Sequence, residues 1–552
     1  MSRLARLART FRTLRHLGQD QLVAQVIHGL RGIRGPASRV RSAPARSEGA
    51  STLAFLPAPR HVGWHPTGEL ELLHHRADFA DKVDWEYEPG GPLWLYHLHQ
   101  FDHLRAPGLT PDRRLALMLD WVRRHEEGSG WDPHPTSLRI LNWGKILLTQ
   151  DAVSPAGDEV TELHASLARQ ADTLARNLEL RLQANHLLSN LIGLVFAGLL
   201  FADEGADDWL AHSGHLCAEL DAQFAADGAH QERSPMYHSL LLENLLDLLN
   251  LARARASRAP AGLVEVLEET TGRGLGALEV WCHPDGEIPL FGDSAFGIAQ
   301  RPDALLEYAS SLGLAPRGPD VPGLLADTGF ARLDAGVFSV VVSVAGPAPG
   351  HQPGHAHCDA LAFELSCGGE RVVCDTGVHD YLLGERRARS RATRSHATME
   401  VGGAEQAEIW ASHRVGGRPR VELVGFEPGQ GLEATCASWS TLDSPHRRRF
   451  AFRSGGLEVR DVLEGLPRPV YLALPLAPGI DVRLVHDAGS GDEAHLVLPG
   501  GGRMRVALPI AASWRIESAP YFPEFGLEEQ RVSLVGEAVL FESGTWRFDL
   551  LE

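Results

Sequence analysis

The sequence predicts an α+β multidomain protein in which a helical domain precedes an antiparallel β-sandwich domain. From about residue 90 to 280, successive segments carry apolar residues at i, i+3, i+4 and i+7, the period of helices that bury one face. From about residue 325 to the end the period is two, with glycine-rich turns between alternating segments, which is typical of β-hairpins. At 552 residues the chain is long enough for two or three domains with sizeable cores.

The helical segments follow one another with short connectors that contain Asp, Gly or Pro. Such connectors favour antiparallel helical hairpins, which can close into a toroid. A short extended piece that includes HVGWHP (61–66) leads into the series. The series includes TSLRILNWGKILLTQ (136–150), VTELHASLARQADTLARNLELRLQ (160–183) and DDWLAHSGHLCAELDAQFA (207–225), and it ends with AGLVEVLEETTGRGLGALEVW (261–281). We expect a basic N-terminal helix and linker at residues 1–60, the helical domain at 61–315 and the β-sandwich domain at 316–552.

The N-terminal residues 1–32 are basic and helical in period, and they lack the continuous apolar core of a secretory signal. One interpretation is a solvated helix packed on the domain by its leucine face, and the alternative is a helix that touches a membrane surface. The longest apolar run, at 191–201, is too short to span a bilayer. We therefore expect no stable membrane insertion, and a location in the cytoplasm, or in the periplasm or outside the cell by an unrecognised route.

The stretch from His351 to His396 carries a concentrated set of metal-ligand residue types. It contains a His-x-His pair, His355 and His357, then Asp375 18 residues further on and His396 21 residues beyond that. If the segment is extended, the paired histidines face the same way, because strand side chains alternate. Imidazole and carboxylate are ordinary ligands of zinc or a similar ion. With 27 histidines in the chain, such a pair can also arise by chance.

Strand pairing leaves the position of Asp375 open. LAFELS (361–366) and RVVCDT (371–376) are predicted to be strands joined by a Cys-Gly-Gly-Glu turn. Simple pairing would set Asp375 opposite about Ala362, away from His357. Either the histidine segment bends back, or Asp375 does not meet it.

The charge and cysteine content limit the classes of partner. The formal net charge is -19, which disfavours nucleic acid and means that a polyanionic substrate would need a local basic groove. The six cysteines are scattered without a CxxC pattern, so neither a disulfide framework nor a cysteine-zinc module is indicated. Cys358 and Cys374 flank the ligand positions and are an alternative pair of ligands for a soft metal.

Two helix starts in the helical half bring polar and aromatic residues together. Asn185 and His186 open a strongly apolar helix, where Asn is also a natural N-cap. Ser234-Pro235 is likewise a helix start. Helix capping explains these two residues, but it does not explain why four polar or aromatic residues surround them: Glu232, Arg233, Tyr237 and His238. Two such starts would line one rim of a toroid, where a cleft facing the second domain would lie.

Three further features are candidates for binding. Arg139 and Asn142 lie three residues apart on one helix face. The run RRARSRATRSH (386–396) is strongly basic in an acidic protein, and it is either a solvated loop or a segment that faces an anion. The third is Asp293 in the polar loop 284–297, for which the alternative is that it is only a turn residue.

Taken in order, these segments resemble the heparinase II/III-like family of polysaccharide lyases. The resembling segments include LWLYHLHQFDHL, SLRILNW, NHLLSNLIGLVFAGLLF, DGAHQERSPMYHSLLLENLLDL, IPLFGDS, GHAHCDALAFELS, VVCDTG, and SHATMEVGG with QAEIW close behind. They cover nearly the whole chain from about 90 to 415. The resemblance implies an incomplete (α/α) toroid followed by an antiparallel β-sandwich, with the active site between them.

The resemblance also implies a reaction and roles for individual residues. The reaction is β-elimination at a uronic acid, which cleaves the bond to the C4 oxygen and leaves an unsaturated sugar. The implied roles are catalytic for Asn185, His186, Tyr237 and His355, and metal-binding for His357, Asp375 and His396. The residues expected to bind substrate, as further candidates, are Arg139, Asn142, Glu232, Arg233, His238, Arg394 and Trp410. Zinc is the expected ion, with Mn²⁺ or Ca²⁺ as alternatives, and its role is expected to be structural.

The expected substrate is an acidic polysaccharide of the glycosaminoglycan type, such as hyaluronan, chondroitin sulfate or heparan sulfate. Alginate or a bacterial surface polysaccharide is the alternative, and a non-catalytic carbohydrate-binding protein on the same fold is a third hypothesis. A glycosidase is disfavoured because no pair of carboxylates is set at glycosidase spacing. The protein is expected to be a monomer or a homodimer.

Overall fold

A computed structural model describes residues 3–37, 52–153, 157–486 and 491–551. Residues 38–51, which form much of the predicted linker, lie outside the described residues. In the described chain an N-terminal helix pair and a small sheet precede a large helical domain, and an all-antiparallel β region follows. The predicted order of a helical toroid and then a β-sandwich is confirmed.

Two helices and a short meander form the N-terminal part. The helices are α1 (Arg3–Leu14) and α2 (Gln19–Arg31). The meander is a three-stranded antiparallel sheet made of β1 (Val62–Trp64), β2 (Glu69–Leu72) and β3 (His75–Asp78). The sequence predicted only a short extended piece here, because these strands are three or four residues long and carry little periodicity.

The toroid is built from antiparallel helices whose apolar faces share one core. Its helices are α3 (Gly91–Gln100), α4 (Pro111–Arg124), α5 (Pro133–Leu148), α6 (Gly157–Ala175), α7 (Asn185–Leu200), α8 (Glu204–Leu210), α9 (Ser213–Gln223), α10 (Pro235–Ala254), α11 (Leu263–Trp281) and α12 (Pro302–Ser311). The predicted helices are confirmed, with two differences. Helix α6 ends at Ala175 rather than near 183, and the segment 207–225 is divided between α8 and α9.

The β region shares a second core. A five-stranded sheet comes first: β4 (Leu324–Leu325), β5 (Phe330–Ala335), β6 (Phe338–Ser343), β7 (Phe363–Cys367) and β8 (Glu370–Val373). The predicted hairpin of β7 and β8 is confirmed, with Gly368 and Gly369 at positive φ in its turn. A short helix, α13 (Glu385–Arg391), lies in the arginine-rich run.

Three further sheets complete the region. An eight-stranded sheet has the order β12-β13-β14-β15-β22-β19-β18-β17, a four-stranded sheet has the order β20-β21-β16-β9, and β10 pairs with β11. The strands are β9 (Met399–Val401), β10 (Ile409–Trp410), β11 (Arg414–Val415), β12 (Arg420–Glu427), β13 (Gly431–Ala437), β14 (His446–Arg453), β15 (Gly456–Leu463), β16 (Arg468–Pro475), β17 (Asp481–Val485), β18 (Glu493–Val497), β19 (Arg503–Ala507), β20 (Ser513–Tyr521), β21 (Glu529–Phe541) and β22 (Ser543–Leu551).

The N-terminal helix does not pack by its leucine face, so that prediction is wrong. Helix α1 contains no buried residue, and its leucines are exposed. Its contacts with the β region come from the polar face, where Arg12 pairs with Glu408 and Thr13 accepts a hydrogen bond from the Trp410 indole. Among the described residues, no helix combines the length and the apolar character needed to cross a bilayer.

Candidate functional site

A cavity of about 900 Å³ lies where the toroid meets loops of the β region. The toroid contributes Asn185 and His186 from the start of α7 and Tyr237 from the first turn of α10. The β region contributes His355 and His413 from two loops. The structure therefore brings the four predicted catalytic residues to one cavity, although they come from three distant parts of the chain.

Helix α7 begins at the cavity wall. The backbone N–H of Asn185 donates to Glu232 Oε1 at 3.0 Å, so the buried Glu232 carboxylate takes the place of a capping side chain. The Asn185 side chain is therefore not needed as an N-cap, and it lines the cavity. This arrangement removes the alternative in which Asn185 serves only to begin the helix.

His186 belongs to a stacked pair of imidazoles. Its ring lies 4.1 Å from that of His134, and its Nδ1 lies 3.0 Å from Glu179 Oε1. Burial alone would lower the pKa of His186, but the Glu179 carboxylate outweighs it and raises the pKa above its ordinary value. A positive charge is thus favoured next to Asn185.

The Tyr237 phenol faces the β region. Ser234 caps α10 by accepting a hydrogen bond from the Tyr237 backbone N–H at 3.2 Å, and Pro235 occupies the first turn. The Tyr237 hydroxyl lies 2.8 Å from the Tyr381 hydroxyl, and its ring centroid lies 4.1 Å from that of His355. Burial raises the pKa of Tyr237 well above its ordinary value, so the phenol carries its proton at neutral pH.

Asp293 organises the histidine segment. Its Oδ2 lies 2.8 Å from His355 Nδ1, its Oδ1 lies 2.8 Å from His357 Nε2, and Arg387 donates to both oxygens. Burial opposes ionisation of Asp293, but Arg387 and the two imidazoles hold the pKa of its carboxyl well below the ordinary value. Asp293 does lie in a turn, but it is not only a turn residue, because its side chain bridges the catalytic and metal-ligand candidates.

The His-x-His segment bends back towards the metal-ligand candidates. It lies in a loop rather than a strand, and Leu361 at the end of the loop has a positive φ of 61°. His357 and His396 have ring centroids 5.5 Å apart, and His396 Nδ1 lies 2.8 Å from Asp375 Oδ2. Of the two arrangements left open by strand pairing, the structure adopts the one in which the three residues are neighbours.

The chemistry of these three side chains fits a divalent ion. Within the described chain, His357 Nδ1 and His396 Nε2 are buried ring nitrogens without a hydrogen-bond partner. Burial lowers the pKa of His357 to about 4, which keeps the ring neutral as a metal ligand must be. Asp375 supplies the carboxylate, and burial of that group is outweighed by His396, which lowers its pKa below the ordinary value.

The ligand atoms of this set are not gathered around one point. Three sets of side chains in the described residues have ligand atoms within 4.8 Å of one another: Glu86, His99 and His125; His134, Glu179 and His186; and Asp293, His355 and His413. The His357, Asp375 and His396 set is not one of them, so binding would require their side chains to adjust. No cysteine belongs to the three sets, and Cys374 Sγ instead lies 3.6 Å from the Tyr521 hydroxyl.

Two of the predicted substrate-binding residues are buried away from the cavity wall. Arg139 is fully buried; it donates to Gln170 and to backbone carbonyls and lies 4.0 Å over the Trp121 ring. His238 is buried too, with Nε2 on the Gly274 carbonyl at 2.8 Å. By contrast, Asn142, on the same helix face as Arg139, lines the cavity and donates to Asp102.

The remaining predicted contacts are also engaged elsewhere. Glu232 lies behind the cavity, with Oε2 3.6 Å from His355 Nε2, and Arg233 donates to the Gly346 carbonyl. Arg394 pairs with Glu400, and Trp410 contacts helix α1. None of these four side chains lines the cavity.

Within the basic run, only Arg386 lines the cavity. Arg387 and Arg391 are buried, where Arg387 holds Asp293 and Arg391 donates to the Ala356 carbonyl. The run is therefore mainly a scaffold for the histidine loop rather than a solvated or wholly anion-facing segment. Tyr381 was missed as a site residue. Asp293 was named as a lesser candidate but was given no role, although the segment IPLFGDS that contains it is one of the resembling segments.

The chain has the architecture of a helical toroid followed by an antiparallel β-sandwich, and comparison with known proteins gives the family. The family model described as "Heparinase II/III N-terminus" matches residues 113–312, and "Heparinase II/III-like, C-terminal" matches residues 318–545. The chain belongs to the heparinase II/III-like family.

Two proteins of similar sequence carry names that describe different functions. The chain is 26% identical over 386 residues to FtsZ-localized protein C of Caulobacter vibrioides, covering 67% of this chain and 63% of that protein. It is 27% identical over 369 residues to a heparin-sulfate lyase of Pedobacter heparinus, covering 59% of this chain and 54% of the lyase. The matched region thus spans less than two thirds of either relative.

Solved structures agree on the fold. The crystal structure of heparinase III superposes with a TM-score of 0.67 at 18% identity, covering 85% of this chain and 79% of that one. The heparan sulfate lyase HepC mutant from Pedobacter heparinus gives a TM-score of 0.58 at 20% identity, covering 89% and 81%.

Proposed function

We propose that this protein is a polysaccharide lyase that cleaves uronic-acid-containing polymers by β-elimination. The observation that carries the proposal is the convergence of Asn185, Tyr237 and His355 on one cavity, with His355 held by Asp293. An amide, a phenol and an imidazole are the groups that this elimination needs. Membership of the heparinase II/III-like family supports the same reaction class.

The first requirement of the reaction is stabilisation of negative charge on the substrate carboxylate. Removal of the C5 proton spreads charge into the uronate carboxylate, and donors aimed at it stabilise the transition state. The Asn185 amide lines the cavity next to His186, whose raised pKa favours the protonated ring. Both groups would bind the carboxylate, and His186 would add positive charge.

The second requirement is a base. If His355 donates its Nδ1 proton to Asp293, the other ring nitrogen, Nε2, carries the lone pair. Nε2 would accept the C5 proton. Asp293 would then stabilise the imidazolium that forms, as a buried carboxylate does for a catalytic histidine.

The third requirement is an acid for the leaving oxygen. The Tyr237 phenol is protonated at neutral pH, since burial raises its pKa further above an ordinary value that is already about 10. As the C4–O bond breaks and the C4–C5 double bond forms, Tyr237 would donate its proton to the departing oxygen, and Tyr381 at 2.8 Å would stabilise the phenolate. The raised pKa favours this acid role over an initial role as base.

A divalent ion, zinc by donor type, would be held by His357, Asp375 and His396. Its contribution would be structural, since His357 shares the Asp293 carboxylate with His355. The bound ion would fix the histidine loop and hence the direction of the His355 ring.

The charges around the cavity bear on the choice of polymer. Its lining contains Arg105, Lys145 and Arg386, and each is paired with a carboxylate: Arg105 with Asp102 and Glu243, Lys145 with Asp247, and Arg386 with Glu528. Sulfate groups of a substrate would have to compete with these carboxylates for the three cationic side chains. We therefore propose a uronate polymer with few sulfates, such as hyaluronan, alginate or a bacterial surface polysaccharide, ahead of heavily sulfated chains.

The test is incubation of the purified protein with hyaluronan, chondroitin sulfates, heparan sulfate and alginate, followed by ultraviolet absorbance of the unsaturated product. Tyr237→Phe should lower kcat by about 10²- to 10⁴-fold, because it removes the acid. Tyr471→Phe is the matched control, since Tyr471 lies on β16 outside the cavity lining and should leave the rate unchanged. Full activity in Tyr237→Phe would contradict the mechanism.

A non-catalytic role is the second candidate, and the likeness to FtsZ-localized protein C favours it. In that case the cavity would bind a polysaccharide without cleaving it. The same panel separates the two functions, because a binding protein would retain a polymer on an affinity column while releasing no unsaturated product. Absence of product from every polymer would replace the lyase proposal by this one.

A further inference from the structure

The N-terminal helix α1 presents a stripe of large apolar side chains to solvent. Leu4, Leu7, Phe11 and Leu14 follow the spacing i, i+3, i+7 and i+10, which places them on one face. Their exposures are 79%, 60%, 69% and 46%. A soluble protein rarely leaves such a stripe uncovered unless something binds it.

The opposite, polar face of α1 is held against the β region. Arg12 Nε donates to Glu408 Oε2 at 2.7 Å, the Trp410 indole donates to Thr13 Oγ1 at 3.1 Å, and Arg9 lies 4.5 Å over the Trp410 ring. These contacts hold the polar face against the β region. The apolar stripe is therefore turned outward by specific contacts on the other side of the helix.

Helix α2 repeats the arrangement. Its Gln21 is buried and donates to the carbonyls of Arg181 and Leu182 at 3.4 Å, whereas the helix exposes large apolar residues. The exposed set is Leu22, Val23, Val26, Ile27 and Leu30. Both helices are thus attached by polar side chains and leave apolar side chains in solvent.

The positive charge of the two helices indicates what kind of surface would bind the apolar stripe. Residues 3–37 contain seven arginines and one aspartate, in a chain whose net charge is -19. Arg3 and Arg6 are exposed on α1, which has no acidic residue. Apolar side chains flanked by arginines match a surface that offers both an apolar layer and negative charge, which is a bilayer containing anionic phospholipids.

We propose that α1 and α2 form a docking surface for an anionic membrane, with the stripe Leu4, Leu7, Phe11 and Leu14 inserted among the lipid headgroups. The helices would lie in the plane of the interface rather than cross it. The attachment is peripheral, and it does not depend on whether the cavity is catalytic. Because Trp410 lies three residues before His413 of the cavity lining, docking would also fix the cavity relative to the membrane.

The experiment is flotation of the full chain with phosphatidylcholine vesicles that contain or lack about 30% phosphatidylglycerol. We expect flotation with the anionic vesicles only, and weaker flotation as salt is raised, because salt screens the arginines. The variant L7S/F11S should partition at least about tenfold more weakly, because it removes two apolar side chains. The variant R3Q/R6Q should lose about fivefold for each arginine.

Ile510→Ser is the matched control, because Ile510 is 78% exposed but lies outside the helix pair. It should float like the unchanged protein. Since α1 contains no buried residue, L7S/F11S should keep its circular dichroism and melting temperature. Any loss of flotation can then be assigned to the surface.

Three results would overturn the proposal. The first is that the unchanged protein does not bind anionic vesicles, and the second is that the L7S/F11S variant binds them equally well. The third is a dimer in light scattering that L7S/F11S dissociates while vesicles bind neither form, since a second copy of the chain would then cover the stripe.

Discussion

A single carboxylate, Asp293, connects groups that come from separate segments of the chain. It contacts His355 and His357 from one loop and Arg387 from α13. A buried carboxylate stays ionised only when it is paired and hydrogen-bonded, and here two imidazoles and a guanidinium supply those partners. At the residue scale, the direction of the His355 ring therefore depends on a residue 62 positions earlier.

The Tyr237–Tyr381 pair leads to a prediction about rate. Tyr381→Phe removes the hydroxyl 2.8 Å from the Tyr237 hydroxyl but keeps the ring. We expect kcat to fall about tenfold, because the free energy lost corresponds to roughly one hydrogen bond in the transition state. KM should change little. Steady-state kinetics on the best polymer measure both constants, with Tyr471→Phe as control. An unchanged kcat would show that Tyr381 does not assist Tyr237.

The residues that sequence reasoning identified are those with a local signal. Asn185 and Tyr237 stand at helix starts, which capping residues and apolar periodicity mark. Asp293 carries no such signal, because its partners lie 62 to 94 positions later in the chain. Arg139 and Asn142 share a helix face in the sequence, yet only three-dimensional packing determines that Arg139 enters the core and Asn142 reaches the cavity.

At the scale of elements, periodicity predicted the long helices and the hairpins because each buries one face against a large core. It did not predict the meander of β1 to β3, whose strands are too short to show a period. It also gave the wrong orientation for α1. An amphipathic pattern indicates which residues share a face, but the ion pair of Arg12 with Glu408 determines which face meets the protein.

A buried ion pair joins three neighbouring strands of the eight-stranded sheet. Arg448 on β14 donates to both oxygens of Asp461 on β15 at 2.6 and 3.0 Å, and the Trp546 indole on β22 donates to Asp461 at 2.8 Å. Asp461→Asn would leave the Arg448 charge uncompensated. We expect the free energy of unfolding to fall by about 3 to 5 kcal/mol in chemical denaturation.

The same pair gives a pH dependence with a definite sign. Burial opposes ionisation of Asp461, but Arg448 outweighs it and lowers the pKa below the ordinary value. Stability from this pair is therefore present above about pH 4 and is lost as pH falls through the folded pKa. Asp461→Asn should flatten that part of the profile. Asp549→Asn, in a more exposed pair with Arg505, should cost about 1 kcal/mol or less, and an equal loss in both variants would contradict the argument.

At the scale of the whole molecule, the cavity lies where the toroid meets the β region, and a further apolar cluster joins α11 to the five-stranded β-sheet. The toroid supplies Asn185 and Tyr237 on helices, and the β region supplies His355 on a loop. Catalytic geometry of this kind depends on how firmly the loop is held, because a displacement of about 1 Å can cost about 10²-fold in rate. Asp293 holds the loop from one side, and the metal-ligand candidates hold it from the other.

The last prediction concerns the ion that those candidates would hold. Purified protein should contain about one divalent ion per chain by elemental analysis, zinc by donor type. His396→Ala should lose it, because His396 Nε2, like His357 Nδ1, is a buried ring nitrogen of this cluster without a hydrogen-bond partner in the described residues. His495→Ala, at an exposed imidazole on β18, is the control and should keep the ion.

Removal of the ion should lower the reaction rate indirectly, by destabilising the fold around the histidine loop. With His357 and His396 no longer joined, the histidine loop loses one of its anchors and depends more on Asp293 and the arginines of α13. We therefore expect a chelator to lower the melting temperature and the lyase rate together, and added zinc to restore both. A protein that contains no ion, and whose melting temperature is unchanged by chelator, would show that the His357, Asp375 and His396 cluster is a hydrogen-bonded structural element without a metal.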